Sequence, residues 1–180
     1  VKLLVSKPGI DLNIKFKKNG IETTALVMAI LKNYIEIIRV LLLCNNIDPN
    51  IKLNTRYGHE NTALSIAFEK KNIEVIKLLL SNKNINPNIK INIAGKEYTV
   101  LTMAIEKENF EIIELLVANK NIDPNIKLFV KGKESTALLM AIEQKNIRII
   151  KILLKSKNID PNIKCRINNQ KETTAILMAI

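Results

Sequence analysis

Tryptophan is absent from the chain, histidine occurs once, and only two cysteines and five glycines are spread over 180 residues. Each shortage removes a class of explanation. The single histidine, His59, stands in a loop beside Gly58 and reads as a solvated residue. It leaves neither cysteine a neighbouring base for nucleophilic catalysis, and no cluster has metal-ligand spacing. Cys44 and Cys165 are too few and too far apart for a disulfide framework. Both read as free thiols in a reducing, cytoplasmic setting: Cys44 as a small apolar filler at a helix end, Cys165 on the apolar face of a hairpin. The glycines are singletons, which excludes a glycine-rich phosphate loop. No apolar run approaches the ~18 residues of a membrane span. The first residues lack the basic start, long apolar stretch and small-residue cleavage site of a signal peptide. No cofactor is expected.

What the chain has in abundance is self-similarity. Pro-Asn-Ile-Lys recurs with its asparagine at Asn50, Asn88, Asn125 and Asn162, and a variant places Asn13 in the same phase. The motif Thr-Ala-Leu-x-Met-Ala-Ile, with its variants, puts alanines at Ala29, Ala67, Ala104, Ala141 and Ala179. Both markers step by 37 or 38 residues. Two independent markers in one period define a repeat array.

Each unit reads physically as helix, helix, hairpin. Thr136 can cap a helix whose apolar residues Ala137, Leu138, Ala141 and Ile142 recur at helical spacing. After a short break, Asn146 can cap a second helix filled by Ile147, Ile149, Ile150, Ile152, Leu153 and Leu154, too apolar to lie on a surface alone. Asp160-Pro161 bars its continuation. Ile89, Ile91 and Ile93 then alternate with polar residues at strand period, and Gly20, Gly58, Gly95 and Gly132 mark hairpin turns, with Asn168-Asn169 in the last.

This pattern resembles the ankyrin repeat along the whole chain. The family's Thr-Pro-Leu-His-x-Ala-Ala is matched by 136–142, its Glu-Ile-Val-x-x-Leu-Leu by 74–80 and 36–42, and its Ala-Asp-x-Asn by 122–125. The departures are systematic. The proline and histidine are replaced, and the inter-helix glycine becomes Asn33, Lys71, Glu108 or Lys145. Loss of the histidine removes a hydrogen-bonding network that ties neighbouring repeats in the family. The resemblance implies an all-α repeat solenoid of stacked helix–turn–helix units with projecting β-hairpin loops. Its units run over 23–60, 61–97, 98–134 and 135–172, with partial repeats at 1–22 and 173–180. Residues 1–6 align with the tail of a second helix and 178–180 stop inside a first one, so the array is expected to continue on both sides.

The net charge of +11 is not evenly spread. The hairpin segments 15–22, 52–60, 90–98, 127–135 and 164–173 hold +8 of it. The resemblance implies that hairpins and first helices line a concave binding surface, so a row of cationic fingers would attract an acidic protein segment, nucleic-acid phosphates or an anionic membrane surface. The bland alternative stays open: lysines keep loops soluble, and an AT-rich genome favours Lys, Asn and Ile. Only four of the 28 basic residues are arginine, which argues against sequence-specific nucleic-acid reading. Asp-Pro-Asn supplies too few oxygen ligands for calcium and reads as a turn.

The resulting expectation is a non-catalytic, monomeric scaffold that binds a protein partner, an acidic one if the charge is functional. Finger residues Tyr57, Tyr98, Phe129, Lys17, Lys96, Lys131 and Lys133, with the first-helix ends Lys32, Lys70, Lys107 and Gln144, are the contact candidates. Phe16, on the apolar register, is expected to pack between hairpins. Two rivals remain: a spacer or spring within a larger membrane or cytoskeletal protein, and a regulatory region of an enzyme whose catalytic domain lies elsewhere.

Overall fold

A computed structural model describes residues 9–167 and 171–179. The expectations placed on 1–6, on the Asn168-Asn169 turn and on Ile180 lie outside the described residues. The chain divides into two compact units, residues 1–86 and 87–180.

The first unit holds the hairpin β1 (Phe16–Lys18) and β2 (Ile21–Thr23), the helices α1 (Ala25–Leu31) and α2 (Ile35–Leu42), the hairpin β3 (Leu53–Asn54) and β4 (Glu60–Asn61), and the helices α3 (Ala63–Glu69) and α4 (Ile73–Ser81). Here α1 packs on α3 and α2 on α4. The second unit repeats the order with β5 (Ile91–Ile93), β6 (Lys96–Tyr98), α5 (Val100–Glu106), α6 (Phe110–Val117), β7 (Leu128–Val130), β8 (Lys133–Ser135), α7 (Ala137–Glu143), α8 (Ile147–Leu153), β9 (Cys165–Ile167), β10 (Lys171–Thr173) and α9 (Ala175–Ala179). There α5 packs on α7, α7 on α9 and α6 on α8. The cores are Ile, Leu, Val and Ala from both helices of each repeat, with Leu79 and Leu116 fully buried.

Capping sets the helix starts. The hydroxyls of Thr24, Thr62, Thr99 and Thr136 accept the N–H groups of Val27, Ser65, Thr102 and Leu139. The side chains of Asn72, Asn109 and Asn146 do the same for the second helices. The first helices end in a left-handed residue. Asn33, Lys71, Glu108 and Lys145, standing where the resembled family has glycine, have φ of 55°, 52°, 50° and 55°. Around each, an N–H three residues past the helix closes onto the marker alanine carbonyl: Tyr34 on Ala29 (2.9 Å), Asn72 on Ala67 (3.1 Å), Asn109 on Ala104 (2.9 Å) and Asn146 on Ala141 (3.1 Å). This is the Schellman arrangement. The side chains tolerated at this strained position serve the next repeat. Asn72 Nδ2 donates to Asn33 Oδ1 at 2.7 Å, and Asn146 Nδ2 to Glu108 Oε1 at 3.1 Å.

The hairpins follow the turn residues. In β1–β2, β5–β6 and β7–β8 the register leaves two residues in the turn. Lys131 and Gly132 there have φ of 52° and 81°, the primed turn that matches strand twist. The β3–β4 loop is one residue longer, closed by Thr55 N–H on the His59 carbonyl (2.8 Å). That insertion accounts for the 38-residue step from Asn50 to Asn88.

Neighbouring repeats within each unit are joined by the asparagine of the Pro-Asn-Ile-Lys phase. Asn13 Nδ2 donates to the Asn46 carbonyl (2.7 Å), and its Oδ1 accepts the Asp48 N–H (2.8 Å). Asn50 does the same with Asn84 and Asn86 (both 2.7 Å). Asn88 grips Asn121 and Asp123 (2.7 and 2.9 Å), and Asn125 grips Asn158 and Asp160 (2.6 and 2.8 Å). The network expected to be lost with the histidine is thus replaced by an amide clamp. The aspartates form turns, as their sequence context implies: Asp48, Asp123 and Asp160 each accept the N–H two residues on. Phe16 departs from expectation. It shares the register of buried Leu53 yet is 43% exposed, and no hairpin precedes it among the described residues.

Asn125→Ala should cost about 1–3 kcal/mol, since it leaves one donor and one acceptor of the next loop unmatched. Asn121→Ala, at an exposed loop position, should stay within about ±0.5 kcal/mol. Equal losses in urea unfolding would show the clamp to be energetically silent. Lys145→Gly should stabilise by roughly 0.5–1 kcal/mol, because glycine removes the Cβ penalty at positive φ. Glu108→Gly should gain less, since it also deletes the acceptor for Asn146; an equal rise in melting temperature would refute that linkage.

Candidate partner-binding face

The hairpins carry a repeated charge pattern. The lysine of Pro-Asn-Ile-Lys, or its variant, pairs with a glutamate on the return strand: Lys15 with Glu22 (4.0 Å), Lys52 with Glu60 (3.0 Å), Lys90 with Glu97 (3.5 Å), Lys127 with Glu134 (3.6 Å) and Lys164 with Glu172 (3.2 Å). The same carboxylates stitch one hairpin to the next within a unit. Glu22 accepts the Asn54 N–H (2.9 Å), Glu97 the Phe129 N–H (2.7 Å) and Glu134 the Arg166 N–H (2.9 Å). Arg56 reaches back to donate to the Asn19 carbonyl at 2.9 Å. Its guanidinium lies across Gly20, where a Cβ would approach within 3.3 Å.

The contact candidates separate into distinct environments. Tyr57 is 82% exposed at the β3–β4 tip, its ring centroid 6.5 Å from that of His59. Phe129 is 53% exposed on β7. Tyr98 requires correction: it is 5% exposed, and its hydroxyl donates to Glu106 at 2.9 Å. The position one before the capping threonine is also buried at Thr23, Ser135 and Thr173, and half-buried at Asn61. Burial and the Glu106 bond push the Tyr98 pKa up to about 12. Lys17 and Lys131 are exposed, whereas Lys96 and Lys133 are half-buried and Lys133 is paired with Glu143. Lys32, Lys70, Lys107 and Gln144 are the exposed C-cap residues of α1, α3, α5 and α7, where a cation also suits the helix dipole.

Lys32 and Lys70 are brought together. They line a groove of about 440 Å³ in the first unit, between hairpins β1–β2 and β3–β4 and the ends of α1 and α3. Its apolar surface comes from Ile21, Met28, Leu31 and Ile66, and Lys18 joins its rim. Lys17, Tyr57 and the candidates of the second unit do not line it. Sequence reasoning missed Ile21 and Leu31.

Neither cysteine shows the surroundings of a reactive thiol. Cys165 is buried on the apolar register, and burial raises its pKa. Cys44 is only half-buried, correcting its reading as core filler, and its Sγ donates to the Val40 carbonyl at 3.3 Å. Among the described residues no group of three His, Cys, Asp or Glu could hold a metal, and no helix is long and apolar enough to cross a membrane.

Glu22 and Glu134 have lowered pKa values, chiefly because the ionised carboxylate accepts a backbone N–H, with Lys15 or Lys127 assisting against desolvation. A depressed carboxyl contributes its stabilisation above its ordinary value of 4.5 and loses it as pH falls through the lower folded value. The Asn54 and Arg166 amide proton shifts should therefore titrate with midpoints below 4.5. Midpoints at or above that value would refute the stitch, and Glu134→Gln should abolish the Arg166 titration.

A family model described as ankyrin repeats in three copies matches residues 1–93, 26–128 and 91–165. No curated protein sequence matches the chain. Among solved structures, an ankyrin repeat domain from Acinetobacter baumannii AYE is 25% identical with a TM-score of 0.60; the match covers 86% of this chain and 72% of that one. The Legionella pneumophila effector AnkC is similar in fold, at 18% identity and a TM-score of 0.58, over 85% of this chain and 51% of its own. With the cap, turn and hairpin order of every described repeat in agreement, the chain belongs to the ankyrin repeat family.

Proposed function

We propose that the chain holds a protein partner on the face formed by its hairpins and the C-caps of its first helices. Ankyrin repeats in general mediate protein–protein interaction, which sets the class of function. The observation that carries the choice of face is the first unit's groove, where apolar side chains lie open beneath a lysine rim. Charge supports it. The inner hairpin lysines are matched by their own glutamates, so the positive excess of the fingers falls on residues nearer the turns, such as Lys17, Lys18 and Lys131. Exposed Tyr57 and Phe129 add rings of the kind that anchor interfaces. Because caps, clamps and stitches hold the face beforehand, little ordering entropy is lost on association. A partner offering acidic segments suits this surface best.

Panning an unbiased displayed-peptide library on the chain tests the reading. Selected binders should lose affinity for Lys17→Glu, Lys32→Glu and Lys131→Glu variants and keep it for Lys77→Glu and Lys151→Glu on the second helices. Binders sensitive only to the second-helix variants would overturn the choice of face.

A further inference from the structure

The first unit's groove coincides with two departures from the repeat pattern. Counting from the capping threonine, the residue three before it lies on the hairpin and the residue seven after it at the end of the first helix. In the fourth repeat they are Lys133 and Glu143, which form an ion pair. In the third they are Lys96 and Glu106, and Glu106 also accepts the Tyr98 hydroxyl. In the second they are His59 and Glu69, again polar. Only around Thr24 are both apolar: Ile21 and Leu31, which are 46% and 43% exposed. No charge bridges the gap there. Behind them Met28 is half-buried, as is Ile66 at the same position of the second repeat.

The charges around this opening are predominantly positive. Lys18, Lys32 and Lys70 line it, and its single carboxylate, Glu22, is already engaged by the Asn54 N–H and by Lys15. An apolar floor with an unbalanced cationic rim selects its occupant by complementarity. We infer that this groove is a specificity pocket for a partner segment that presents one large apolar side chain flanked on both sides by carboxylates. The apolar side chain would cover Ile21, Met28, Leu31 and Ile66. The carboxylates would meet Lys18, Lys32 and Lys70, which stand apart from the hairpin's own ion pair. The inference rests on the binding face proposed above and narrows it to one site and one chemistry.

The test uses a fluorescent peptide with a phenylalanine between runs of glutamate, and anisotropy at physiological salt. The whole chain should bind it, and replacing the phenylalanine with alanine, or the glutamates with glutamine, should each weaken binding by about tenfold or more. Ile21→Lys with Leu31→Glu installs the pair the fourth repeat already carries. This double variant should keep the wild-type melting temperature and lose binding by a similar factor. Lys32→Glu with Lys70→Glu should lose it too, giving a second variant that leaves the apolar wall intact. Equal affinity for the phenylalanine and alanine peptides, or unchanged binding by the Ile21→Lys/Leu31→Glu variant, would overturn the pocket and leave only general attraction between opposite charges. Absence of any binding by the wild-type chain would overturn it as well. In either case library binders that still respond to Lys17→Glu or Lys131→Glu would leave the broader face standing, whereas binders confined to the second helices would remove both.

Discussion

The interaction on which the rest depends is the asparagine amide that bridges one repeat to the next. Its oxygen accepts an N–H and its nitrogen donates to a carbonyl, both on the main chain of the following loop, within 2.6 to 2.9 Å. Few side chains could replace it. A carboxylate has no hydrogen to donate, a hydroxyl cannot span two main-chain groups so placed, and glutamine would carry the amide one methylene too far. The clamped loop leads directly into the hairpin, so the position of each finger, and of the lysines and rings it bears, follows from the clamp. The carboxylate stitches then fix one finger against its neighbour further out. The binding face is therefore preorganised from its base upwards.

The repeat order was legible because local rules set it. Threonine before an apolar helical run, asparagine before a second one, Asp-Pro after it and X-Gly at a strand turn each act within a few residues; the structure follows them, except that Tyr34 stands without a side-chain cap before Ile35–Leu42. The clamp was not legible. Asn50 or Asn125 in a Pro-Asn context reads as a turn residue, and its partners lie more than thirty positions away. The left-handed residues were half legible: Lys71 and Lys145 were visible as departures from glycine, but their backbone angle was not.

The site was legible in outline only. Lys32 and Lys70 read from the sequence as helix-end residues, and the structure shows them sharing a groove. Tyr98 reads as a contact residue because a tyrosine in a basic hairpin looks like an anchor. Alignment on the capping threonine puts it in the column of Thr23, Asn61, Ser135 and Thr173, three of them buried and Asn61 half-buried, and that alignment is available in the sequence. The same alignment sets Ile21 against Lys96 and Lys133, and Leu31 against Glu106 and Glu143. A break in a polar pair is a weak signal until the open space beside it is known.

Because both partners of the clamp asparagine are main-chain atoms, the joint between repeats makes no demand on the identity of the side chains it meets. The Asn158–Asp160 loop and the Asn84–Asn86 loop are gripped in the same way although one offers aspartate and the other asparagine. Repeats joined by such a coupling can be duplicated, deleted or exchanged by recombination without matched changes in their neighbours. Their finger tips and groove walls then drift independently, so one repeat can present an apolar groove where another carries an ion pair.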